Sequence, residues 1–116
     1  QAVRSSPAYA ELLLQKTELQ SSVDALLIDH TVEFPKVKEM RSQLGFLQAE
    51  MDRLLAIKPE NAGRLSDALG KLILRKVELE SALVSLRSQY KEDHPEVKRM
   101  QRKIDSYEAA IKEILG

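Results

Sequence analysis

The residues best equipped for chemistry are few. His30 and His94 each stand beside a carboxylate, Asp29 and Asp93, a pairing that could serve a metal ion. A metal site needs several ligands converging on one point, and neither an H-x-x-x-H nor an E-x-x-H spacing occurs. The absence of cysteine removes thiolate nucleophiles, disulfides and Cys-based zinc sites. No glycine-rich phosphate loop and no nucleophile elbow is present. Asp, Glu and Lys are abundant, but they fall where a helical repeat faces water and offer i,i+4 support. Met40, Met51 and Met100 lie on apolar seams, as core filler does. The expectation is a chain with no catalytic residues, no cofactor and no metal, whose histidines hydrogen-bond turn backbone.

The elements that carry these residues are helical. Aromatic residues make up only 4% of the 116 residues, and charged ones reach 31%, which is the composition of long amphipathic helices. Eighteen basic and eighteen acidic residues cancel and their signs are interspersed, which argues against nucleic acid, a partner that asks for a basic face. No run approaches the ~20 apolar residues that span a bilayer, so no membrane segment is expected in this chain. A start at Gln1 rather than Met suits a mature exported form or an excised segment.

Taken in order, Gln1–Ser5 lacks periodicity and is expected to fray. Ser6-Pro7 reads as an N-cap followed by a first helical residue. Tyr9, Leu12, Lys16, Leu19, Val23, Leu26 and His30 then recur at steps of three and four, a heptad seam. After Phe34, Pro35 opens a second helix with the seam Val37, Met40, Leu44, Leu47, Met51 and Leu54. Lys58–Gly63 holds two strong breakers and links the halves. A third seam runs from Leu65 through Leu72, Lys76 and Leu83 to Tyr90, and a fourth from Val97 through Ile104 to Ile114.

The second half repeats the first without gaps at an offset of 60 residues. Lys16/Lys76, Leu19/Leu79, Leu26/Leu86, Pro35/Pro95, Val37/Val97, Met40/Met100 and Leu55/Leu115 are identical pairs. Ungapped self-similarity of this kind indicates duplication of one supersecondary unit. The chain is therefore expected to be all-α, with two tandem antiparallel helical hairpins, 1–58 and 59–116. These would pack as a coiled coil or four-helix bundle, or dimerise through leftover stripes. Leu13, Leu14, Leu27, Ile28, Ile73, Leu74 and Val77 widen the seams and favour a bundle over a bare two-stranded coil.

Each hairpin turns at a proline. Pro95 needs no N–H and has a helical φ, while Asp93 and Glu96 put negative charge at the new helix start. The residue before proline avoids the α region, so the preceding helix should end by about Tyr90 to Glu92. Tyr90, Asp93, His94, Pro95 and Val97 form this corner, and Phe34, Pro35 and Val37 form its counterpart. Lys16 and Lys76 interrupt their seams and read as register lysines whose stems cover apolar surface while the ammonium escapes to water.

The string Tyr90-Lys91-Glu92-Asp93-His94-Pro95-Glu96-Val97, followed by Met100, Ile104 and Tyr107, resembles a Y-x-x-x-H-P-x-V-x-x-L-x-x-x-I signature. It belongs to the periplasmic coiled coils of bacterial polysaccharide chain-length determinants and exopolysaccharide export proteins. The likeness covers Leu72–Leu115, and the first half fits as a degenerate copy without the H-P pair. It implies an extracytoplasmic, oligomerising module that partners itself, another helical protein or the polysaccharide assembly machinery. Tyr90, His94, Pro95 and Val97 would then have a structural role. Nothing in the chain corresponds to that family's transmembrane helices, α/β base or kinase segment. The alternative is a free-standing periplasmic helical protein acting as a chaperone or sensor.

Overall fold

The computed structural model describes residues 1–116 and is entirely helical, with no strands. Helix α1 spans Pro7–Leu26, α2 Pro35–Leu55, α3 Asp67–Arg87 and α4 Pro95–Leu115, with a 3₁₀ turn at Pro59–Arg64 between the halves. Local chemistry sets the starts. Ser6 Oγ accepts from Tyr9 N at 3.3 Å and Ser66 Oγ from Leu69 N at 3.2 Å, so each hydroxyl satisfies one orphan N–H of a first turn. Proline stands in the first turn of α1, α2 and α4, where a missing N–H costs nothing.

Helix α3 ends at Arg87, ahead of the Tyr90–Glu92 limit that Pro95 sets, and leads into a bonded turn in which Tyr90 N donates to Leu86 O at 2.8 Å. The first half does the same, with His30 N donating to Leu26 O at 2.9 Å. Leu65 precedes the Ser66 cap and lies outside α3, yet it is fully buried and its carbonyl accepts from Ala8 N at 3.1 Å. The N-terminal segment is not frayed. Val3 is fully buried in the main core, and Ser6 Oγ donates to its carbonyl at 2.6 Å. A single valine without periodicity carries no seam signal, which is why the sequence did not mark it.

The helices flanking each corner pack against one another, and α3 packs in addition on both α1 and α2. Helix α4 packs chiefly on α3 and has no comparable contact with α1, so the four helices do not close into a ring. The particle is flattened, 43 × 38 × 18 Å. Its radius of gyration is 15.5 Å, against about 13 Å for a compact globule of this size. Apolar burial follows the same plan. One cluster joins Tyr9, Leu12, Leu47 and Met51 of the first half to Leu69, Ile73, Val77 and Ile111 of the second. A smaller one, Leu83, Val97 and Ile104, closes the outer part of the α3–α4 pair. The two halves of the repeat therefore share one core across the 58/59 boundary.

Close approach of α1 and α3 depends on Gly70. A β-carbon there would lie 3.1 Å from the Ala8 Cα and press on the Glu11 carboxylate. Gly45, in α2, has nothing within 4 Å of that position. Gly70→Leu should destabilise by about 2 kcal/mol through overpacking, whereas Gly45→Ala should stabilise by roughly 0.5–1 kcal/mol through helix propensity. Urea midpoints of the two variants would check this. Equal tolerance at both positions would contradict the α1–α3 contact.

Candidate functional site

The densest set of functional groups lies where α2, α3 and α4 meet. Lys76 is only 8% exposed, although its seam position suggested an ammonium that escapes to water. The ammonium instead turns inward and donates to Glu50 Oε2 at 2.8 Å and to Glu108 Oε1 at 2.7 Å. Arg53 grips Glu108 with both guanidinium nitrogens, Nη1 to Oε1 and Nη2 to Oε2, each at 2.9 Å. Its Nη1 also reaches Glu50 Oε1 at 3.3 Å. The physical reason is local: burying an ammonium beside apolar side chains is costly unless carboxylates meet it, and two do.

The electrostatics follow from these contacts. The Arg53 hydrogen bond, with help from Lys76 and against burial, holds the Glu108 carboxyl down to about 2, well below its ordinary 4.5. Burial alone would make Lys76 easier to deprotonate, but its bonds to Glu108 and Glu50 outweigh that and raise its pKa. Arg53 is held protonated in the same way, chiefly by Glu108. Glu80 is the odd member. Its Oε1 is buried without a hydrogen-bond partner, and burial pushes its pKa up, with Glu50 and Glu108 adding to the push and Lys76 opposing it. Two cations thus face three carboxylates. Such a set links three helices through charge-assisted hydrogen bonds, and two of the three ammonium N–H groups of Lys76 are used.

Lys16 occupies the matching seam position in α1, is half-buried and makes no ion pair. Glu50, Arg53, Glu80 and Glu108 escaped the periodicity because they flank seams rather than lie on them. The repeat does carry a signal for them: Glu50/Ala110, Arg53/Glu113 and Gln48/Glu108 are mismatched pairs around a matched lysine.

The corners are built around stacked rings. Tyr90 stacks on His94 with ring centres 4.0 Å apart, and His30 on Phe34 at 3.8 Å. With the offset of 60 these are the same two positions, with the histidine and its partner exchanged. His94 Nδ1 accepts from Glu96 N at 3.0 Å and supplies the cap of α4, while Asp93 makes no hydrogen bond or ion pair. Phe34 stands at the cap position of α2 and offers no side-chain acceptor. Pro35 and Pro95 are exposed at the first helical positions, and Val37 and Val97 are buried just after them. The histidines lie at separate corners, and no three His, Cys, Asp or Glu side chains are arranged to hold a metal ion. No helix is long and apolar enough to cross a membrane. No protein-family model, curated protein or solved structure matches the chain.

Removing one member of the charge set leaves the others buried and unpaired. Lys76→Met should cost about 3 kcal/mol, and adding Glu50→Leu should recover much of it; a loss below about 1 kcal/mol by chemical denaturation would contradict the burial. The pH dependence has two signs. The Glu108 contribution is present above 4.5 and is lost as pH falls toward about 2. Ionised Glu80 costs stability at neutral pH, and that cost disappears as pH falls through its raised pKa. Glu80→Gln should therefore stabilise at pH 7 and converge on the wild type below about pH 4. A difference that does not change with pH would contradict this assignment.

Proposed function

We propose that the chain is a non-catalytic structural and self-associating module, two tandem antiparallel hairpins with coiled-coil-like packing. In its finer form, the reading makes it the extracytoplasmic helical part of a polysaccharide chain-length determinant or exopolysaccharide export protein. One observation carries it: every signature position at the second corner has a structural task. Tyr90 stacks on His94, the His94 ring caps α4, Pro95 starts that helix and Val97 closes the outer core. A corner so constructed holds two long helices together at their tip and leaves their flanks free for partners. The flattened shape and the large exposed side chains of α1, Leu13 and Leu14, support the same reading.

The alternative, a free-standing periplasmic chaperone or sensor, draws on the first corner. There Ile28 is 87% and Val32 47% exposed, where the second corner has Ser88 and Glu92. Deletion of the gene in its host, with gel analysis of surface polysaccharide, tests the finer reading. The expected result is a shifted chain-length distribution or lost export, restored by the intact gene. An unchanged profile would contradict the polysaccharide assignment. Tyr90→Ala with Pro95→Ala should reproduce the deletion phenotype in part and lower the thermal midpoint by roughly 4–8 °C, the shift that 1 kcal/mol gives a domain of this size. An unmoved midpoint would contradict the corner's structural role.

A further inference from the structure

The two halves of the repeat differ most in which faces are covered. In the first half Ala8, Leu12 and Leu47 are fully buried because α3 lies on them. Their counterparts 60 residues on, Ala68, Leu72 and Tyr107, line an open groove between α3 and α4, with Ala68 exposed and the other two partly so. The docking face of α3 shows the converse. Gly70, Ile73, Val77 and Ser81 are buried against the first half, whereas their counterparts Ala10, Leu13, Thr17 and Ser21 on α1 are exposed, Leu13 by 47%. Leu14 is 61% exposed, while its counterpart Leu74 packs against the main core. Each chain thus carries one unused copy of both sides of its own internal interface.

We infer that these two faces bind each other between chains: α1 of one copy enters the α3–α4 groove of the next, as α3 enters the α1–α2 groove within the chain. Small residues meet in both settings, Gly70 over Ala8 within the chain and Ala10 over Ala68 between chains, where the Ala10 methyl sets the two helices further apart than Gly70 does. The charge arrangement changes but stays opposed. Within the chain Lys76 bonds Glu50 and Glu108, and Arg53 shares Glu108. Between chains the counterparts of those two acids are Ala110 and Gln48, and Lys16 meets Glu113, which stands in the place of Arg53. Lys71 and Glu11 are counterparts too, and exchanging them keeps opposite charges opposed. Because the two faces differ, the contact is head-to-tail, and it makes rings or open filaments rather than a two-fold dimer. This names the partner in the self-association reading and rests on that reading.

The test is light-scattering mass of the full chain over a concentration series from about 10 μM to about 1 mM. The wild type should pass beyond two chains per particle. Leu13→Arg blocks the α1 face and Ala68→Arg blocks the groove; circular dichroism verifies that both remain helical. Each variant alone should be monomeric, and an equimolar mixture should form particles of two chains and no more, since each supplies the face the other lacks. Lys16→Glu and Glu113→Lys give a second pair that avoids the apolar contacts: each should weaken association at least about tenfold, and their mixture should restore it. A wild type that stays monomeric overturns both this interface and the self-association reading. A wild type that associates while all four variants associate equally overturns this interface alone, as does a wild-type mass that stops at two.

Discussion

Helix α3 has more apolar surface than one neighbour can cover, and the rest of the structure is arranged around that excess. Leu79, Leu83 and Leu86 face α4, while Ile73 and Val77 lie in the core shared with the first half. Covering only one side would leave about 1.5–3 kcal/mol per large side chain unrealised. The helix therefore sits against three others, and Gly70 lets its backbone approach α1 closely enough to do so. The 3₁₀ turn and the buried Leu65 deliver the chain to this position.

Within that arrangement the Lys76 network links α2, α3 and α4. Apolar seams tolerate sliding by a heptad at modest cost, but a buried ammonium placed away from Glu50 and Glu108 would be left unpaired. The bidentate Arg53–Glu108 contact ties α2 to α4, which otherwise touch little. Net stabilisation from buried ion pairs is often small; their strength lies in the penalty on alternatives. The carboxylate surplus at Glu80 is the weak point of the set.

Much of this was legible in the sequence, and the rest was hidden for definable reasons. Heptad spacing and the proline at each corner located the four helices to within a few residues, and the offset of 60 showed the duplication. What spacing could not reveal was which flank of a seam meets a second partner. Lys76 and Lys16 look alike as residues, yet one is enclosed by acids from two other helices and the other is not: docking of α3 on α2 brings Glu50, and α4 supplies Glu108 where the first half has Gln48. Val3 was invisible because a lone apolar residue has no period. The ring stacks were concealed by the exchange of histidine and aromatic between corners: comparing identities gives no match at 30/90 or 34/94, whereas comparing ring shape makes them equivalent.

The central claim is that two copies of one helical unit share a single core through α3. Native-state hydrogen exchange tests it most directly. The account predicts that amides around Leu47–Leu54 in α2 and Ile73–Val77 in α3 open together, with the free energy of global unfolding, while amides beside the two corners open earlier. Separate opening energies for the α1–α2 and α3–α4 halves would contradict it, because each half would then be stable without the other.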